Sequence, residues 1–253
     1  MTPRALLFVA HPGHELLLLE WMRRRRPVVC VLTDGSGGAD RPRLEETRHV
    51  IETAGARVGG VFGVAPDRRF YAALLRREVA FFQDIVDGLA AELRRHRVNK
   101  LVSDAIEHFN PVHDLCSAIA CIAAGRLARE GRSLERFCLP IEHRPATPAA
   151  GSRVISLSEE RLREKAGAVS GYAGLAAEAA RYFTEHGPVL AEEILQPVDG
   201  PCPLPPPSDT PYYEVYGRLR VQQARYAELI TYRDHLAPMV SALLAAEEGS
   251  AAA

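Results

Sequence analysis

Two short segments hold most of the side chains able to do chemistry: His11-Pro12-Gly13-His14-Glu15 near the N-terminus and Asn110-Pro111-Val112-His113-Asp114 near mid-chain. Three imidazoles, those of His11, His14 and His113, match the three-histidine face of a catalytic zinc site, which leaves a fourth position for water or substrate. Neutral imidazole nitrogen suits zinc (Zn), with iron (Fe) also competent, better than magnesium or calcium, which favour oxygen ligands. In each segment the proline follows a residue able to cap a helix, so His14 and His113 are expected in opening helical turns. The positive end of a helix disfavours imidazolium and would keep both rings neutral. A structural reading stays open beside this one, with His11 as a helix cap and the other two as polar rim residues.

The elements that must position these residues alternate. Short apolar runs at Ala5 to Ala10, Val28 to Leu32, Val58 to Val64, Leu101 to Ser103 and Phe137 to Ile141 read as strands. Helical patterns at His14 to Arg25, Arg43 to Ala54, Glu78 to His96 and His113 to Arg129 lie between them, and Gly55 is placed to end the second. Strands separated by helices imply an α/β fold: a Rossmann-like parallel sheet with helices on both faces. Ligands of such sheets bind beyond the carboxyl ends of the strands, so the turns leaving strands one, two and four are the expected site.

After Pro145 the pattern changes. A helix from Ser158 to Glu185, a proline-rich stretch from Gln196 to Pro211 and a last helix from Gly217 to Leu244, broken or kinked near Pro238, read as decoration outside the sheet. The expected organisation is a metal-binding core over 1–145, a helical extension over 146–246 packed on it, and a frayed tail over 247–253. Tyr212, Tyr213 and Tyr216 are expected to pack that extension onto the core rather than wall a pocket.

Thirty-one Lys and Arg against 32 Asp and Glu give a net charge of −1, which argues against nucleic acid or a membrane surface as partner and leaves a small-molecule substrate. Homo-oligomerisation stays open. The five cysteines form no CxxC pair, so no disulfide framework is indicated and a reducing cytoplasm is the expected compartment.

The ordered set of residues resembles the PIG-L/LmbE-like de-N-acetylases, zinc hydrolases that remove acetyl groups from N-acetylglucosamine conjugates and related molecules. Ala10-His11-Pro12-Gly13-His14-Glu15 stands where that family has Ala-His-Pro-Asp-Asp-Glu. Thr33-Asp34-Gly35, Arg43, Glu46 and Gly55 match its second strand and following helix, and Asn110-Pro111-Val112-His113 lies at its His-Pro-Asp-His. The resemblance covers roughly residues 1 to 145. It implies that His11 and His113 are zinc ligands and that His14 replaces an aspartate ligand. It also implies two losses: Gly13 stands at the general-base aspartate, and Asn110 at a histidine that assists the tetrahedral intermediate.

A missing base is a serious loss, because general-base catalysis commonly contributes roughly 10²- to 10⁴-fold. Glu15, Asp104 and His108 are the foremost candidates to compensate, ahead of Asp34, Glu107 and Asp114, while Arg43 and Asn110 are candidate substrate-binding residues. Structural roles compete for each: Glu15 and Asp114 suit a helix N-terminus, Asp34 a turn, Asp104 the orientation of a ligand, and Arg43 a helix pair with Glu46. Three functions follow: a divergent amide hydrolase acting on an N-acylated sugar or specialised metabolite, a metalloenzyme with a changed reaction (lyase, isomerase or transferase), and a binding protein on an enzyme scaffold.

Overall fold

Apolar runs buried on both faces make the central strands. In the computed structural model, which describes residues 4–37, 41–143, 145, 147–172, 190–200 and 204–251, β1 (Ala5–Val9), β2 (Val28–Thr33) and β4 (Lys100–Asp104) are buried at every position. With β3 (Arg57–Ala65) and β5 (Glu135–Leu139) they pair in parallel. The order β3-β2-β1-β4-β5 reverses direction between β1 and β4, where an α/β sheet opens its ligand crevice.

Residues alternate between two cores. Leu6, Phe8, Cys30 and Leu32 face α4 (Val79–Arg95) and α5 (Pro111–Arg129), whereas Leu7, Val9, Val29 and Val31 face α1 (Leu19–Arg25) and α2 (Leu44–Thr53). Gly55, at φ 73°, follows the end of α2 as expected of a C-terminal cap. One helix has no counterpart in the sequence reading: α3 (Asp67–Leu75) fills the interval between β3 and α4 and carries the buried Asp67.

The C-terminal segment departs further from expectation. It is not merely decoration, because β6 (Arg153–Ser156) and β7 (Glu192–Pro197) extend the sheet antiparallel beyond β5. The helix expected from Ser158 is α6 (Glu159–Ser170), capped by Ser158 Oγ accepting from Arg161 N–H at 3.3 Å; the rest of that expected helix, from residue 173, lies outside the described residues. Buried Lys165 of α6 reaches Glu193 of β7 at 3.0 Å, and Glu193 in turn accepts the N–H groups of Glu20 and Trp21 at 2.9 and 2.7 Å. This network ties the extension to α1.

The last expected helix is two. Helix α7 (Tyr212–Gln222) ends well before Pro238, and a π-helical turn (Tyr232–Leu236) leads into α8 (Ala237–Ala251). Pro238, the second residue of α8, follows the π-helical turn and has no N–H to donate back into it; the Asp234 carbonyl, four residues earlier, accepts from Arg77 Nη2 at 3.0 Å. The tail is not frayed at 247: Glu247 is buried and ion-paired with Arg126 and with Arg129, the latter at 2.6 Å. Cys30, Cys116 and Cys138 are free, and Cys121 is disulfide-bonded, a pairing that linear spacing did not reveal. Among the described residues no helix is long and apolar enough to cross a membrane.

Candidate metal centre

The turns leaving β1, β3 and β4 converge on one cluster of imidazoles. His11 follows β1, His14 opens a short 3-10 turn (His14–Leu18) ahead of α1, and His113 lies in the first turn of α5. Their ring centroids are 5.4 Å apart for His11 and His14, 5.0 Å for His11 and His113, and 4.7 Å for His14 and His113. At α5 the expected capping holds, with Asn110 Oδ1 accepting from Val112 N–H at 2.9 Å and Pro111 in the first helical position. At the first motif it does not. Gly13, not His11, precedes the turn, in a left-handed conformation with φ 107°, and its N–H donates to Glu15 Oε2 at 2.7 Å.

Each of the first two rings is held by a carboxylate. His14 Nδ1 donates to Asp104 Oδ2 at 2.9 Å, and the same oxygen accepts the N–H of Ala10 at 2.9 Å. His11 Nδ1 lies 2.8 Å from Asp67 Oδ1 and 2.9 Å from Thr33 Oγ1. His113 differs, for its buried Nδ1 has no protein partner, and neither has Asp104 Oδ1. His14, Asp104 and His113 each place one donor atom within 4.8 Å of the others.

Electrostatics separates the histidines. Burial, reinforced by the neighbouring His14 and His11, holds His113 well below the usual histidine range, so this ring is neutral as expected. His14 goes the other way: burial alone would lower its pKa, but the charge and hydrogen bond of Asp104 outweigh that and raise it. The helix end therefore does not decide the charge of His14. Burial opposes ionisation of Asp67, yet hydrogen bonds from His11 and Gly37 N–H hold its carboxyl well below the usual range.

The other candidates fall into place around this cluster. Glu15 is fully buried, with its pKa raised chiefly by that burial. His108 adopts φ 53° and turns its ring to Asp114 Oδ2 at 3.1 Å and edge-on to Tyr232, so the described contacts do not join it to the three imidazoles. Asp114 also accepts the N–H groups of Glu107 and His108 at 3.0 and 3.2 Å, and Glu107 accepts those of Ile141, Glu142 and His143, so both acids fasten loops. Asp34 accepts from Ser36 N–H at 2.9 Å, as a turn residue would. Arg43 Nε donates to Gly35 C=O at 2.6 Å; a Cβ on Gly35 would meet Pro12 Cγ at 2.8 Å, which places this arginine and its loop beside the first motif. Asn110 Nδ2 comes to 3.5 Å from His11 Nε2.

Asp67 is the residue that sequence reasoning missed. It opens α3 at the end of β3, after Pro66, and the Pro-Asp pair was its only signal.

No family model matches the chain, and no curated protein does. Solved structures do resemble it in fold. A deacetylase in complex with teicoplanin, from the teicoplanin biosynthesis pathway, aligns with TM-score 0.52 at 12% identity over 78% of this chain and 100% of that one. The A40926 pseudoaglycone deacetylase Dbv21 aligns with TM-score 0.50 at 14% identity over 80% and 100%. The conserved protein TT1542 from Thermus thermophilus gives TM-score 0.50 at 18% identity over 79% and 95%. At these identities the likeness is one of fold.

Proposed function

We propose that the chain is a metal-dependent amide hydrolase of the de-N-acetylase type, acting on a small N-acylated sugar or specialised metabolite. The observation that carries this reading is the meeting of three imidazoles at the carboxyl ends of β1 and β4, beside buried His113 Nδ1 and Asp104 Oδ1 that lack protein partners. A buried polar atom left unpaired costs about 1–3 kcal/mol, a cost that a cation bound among these donors would offset. Zinc fits the set. His11, His14 and His113 would hold it, while Asp67 and Asp104 orient the first two rings through Nδ1, the carboxylate–histidine arrangement that also raises ligand basicity. Asp104 Oδ2 holds His14 and the Ala10 N–H, while its Oδ1 is unpartnered and one of its oxygens groups with donor atoms of His14 and His113, so Asp104 would both orient His14 and offer an oxygen to the cation. When bound, zinc supplies Lewis acidity to the acyl carbonyl and to an attacking water. That deacetylases of antibiotic biosynthesis share the fold supports the substrate class.

The chain's own residues set the rate. Gly13 offers no carboxylate, and Glu15, Asp67, Asp104 and Asp114 each accept hydrogen bonds that fix a loop or a ring. Glu15 is the nearest carboxylate in sequence, but it is fully buried and held on the Gly13 N–H, so slow hydrolysis is expected. The same engagement of carboxylates favours a second reading, a metalloprotein of this fold with a changed reaction or a binding role. Acetate release from N-acetylglucosamine and its aryl glycosides, by zinc-loaded and chelator-treated protein, decides between them. Slow release that disappears with the chelator is expected. Zinc-loaded protein that cleaves no N-acyl compound would hand the lead to the second reading.

A further inference from the structure

A row of aromatic rings leads away from the imidazole cluster, and neither the core nor the proposed chemistry uses it. It starts at Phe109, in the turn after β4 between His108 and Asn110. Tyr212, the first residue of α7, stacks on Phe109 with ring centroids 4.3 Å apart and planes 4° from parallel. One helical turn further, Tyr216 continues the row at 6.1 Å and 17°. Arg220 closes it, with its guanidinium 4.7 Å over the Tyr216 ring and Nε donating to the Tyr216 hydroxyl at 2.7 Å. Asn110, the residue after Phe109, brings Nδ2 to 3.5 Å from His11 Nε2, which sets the start of the row beside the imidazoles.

Helix α7 is fixed in this position. The N–H of Tyr212 donates to the His108 carbonyl at 2.9 Å, Glu214 Oε1 accepts from Tyr232 N–H at 2.9 Å, and Tyr213 is buried in the core. The expectation that these tyrosines pack the extension onto the core therefore holds for Tyr213, and in part for Tyr212, whose ring lies on Phe109 yet keeps about half its surface exposed. Tyr212 is 49% exposed, and Val215 and Leu219, on the same side of the helix, are 52% and 48% exposed. Water-exposed aromatic and apolar surface that continues from a polar crevice has the make-up of a ligand surface. Flat rings are recognised there by stacking or edge contacts.

Resting on the amide-hydrolase reading, we propose that Phe109, Tyr212 and Tyr216 form the subsite for the amine half of the substrate. They select N-acylated molecules that carry an aromatic group beyond the acyl nitrogen, in preference to a bare N-acetylated sugar.

The test compares N-acetylglucosamine with its nitrophenyl β-glycoside by titration calorimetry on the full-length, zinc-loaded protein. The aryl glycoside should bind about 10-fold more tightly, the size of one aromatic stacking contact. Tyr212→Ala should remove most of that ratio and Tyr212→Phe should keep it. Val154→Ala, at an exposed position of β6 on the sheet edge, should keep it too. If Tyr212→Ala melts early, Tyr216→Ala takes its place. Equal binding of the two sugars by wild type, including no binding of either, would overturn the proposal, as would a full ratio in a normally folded Tyr212→Ala. Acetate measured in the same samples separates the two claims: preference without acetate keeps the subsite and refutes the hydrolase, and acetate without preference does the reverse.

Discussion

Replacing Gly13 by aspartate probes the backbone and the chemistry together. Gly13 sits at φ 107° and ψ −25°, where a side chain is strained by about 1–2 kcal/mol. Loss of glycine's freedom in the unfolded chain returns about 0.4–1 kcal/mol, so the net destabilisation is roughly 1 kcal/mol. For a chain of this size that is about 2–4 °C in Tm. The same substitution puts a carboxylate one residue before His14, where the resemblance to the de-N-acetylases expects the general base. A base in ideal position contributes roughly 10²- to 10⁴-fold; one on a strained backbone is expected to recover about 10-fold. Thermal melting and acetate release would be followed on wild type, Gly13→Asp and Gly13→Ala at equal zinc content. The alanine carries the strain without the carboxylate, so it should show a similar fall in Tm and no gain in turnover. A rise in Tm on either substitution would refute the left-handed reading of Gly13. Acetate release by Gly13→Asp no faster than by Gly13→Ala would refute the missing base.

The extension should be inseparable from the core: a chain ending at Pro145 would leave the outer edge of β5 unpaired and strip Tyr172, Leu195, Met239 and Leu243 from the two cores. It should aggregate or bind a hydrophobic dye, and a soluble, cooperatively melting truncation would contradict this. Glu247 predicts a pH dependence. Arg126 first, then Gln83 and Arg129, lower its pKa against a smaller opposing effect of burial, so its contribution is present in full above the ordinary carboxylate range and is lost as pH falls through and below it. Glu247→Gln should therefore melt below wild type at neutral pH, with the gap closing towards pH ~3; a gap independent of pH would show that packing, not charge, anchors α8.

The parallel half of the fold was legible because its strands are continuous apolar runs: nothing in Leu6-Leu7-Phe8-Val9 or Val28-Val29-Cys30-Val31 competes with a buried strand. The antiparallel edge was not. Strand β6 offers only Val154 and Ile155 between exposed polar ends, and β7 opens with two glutamates, one of which is buried because it accepts backbone N–H groups from α1. Tertiary hydrogen bonds of that kind leave no periodic trace. At the site, the three imidazoles could be read from the two proline motifs, and Asp104 could be placed beside them at the end of β4 as a candidate catalytic acid, with orientation of a ligand as its structural alternative; that it meets His14 could not be read. Asp67 could not, since nothing local says that the turn leaving β3 folds back on His11. The left-handed Gly13 was likewise hidden, because a proline after His11 suggested a capped helix where the chain makes a glycine turn into a 3-10 segment.

Anomalous diffraction at the zinc edge, from crystals grown with zinc, decides whether His11, His14 and His113 hold a zinc ion. A single strong peak shared by the three imidazoles, with Asp67 and Asp104 still on the far nitrogens of His11 and His14, is the predicted result. No peak within the cluster, or zinc bound only elsewhere on the chain, would contradict it.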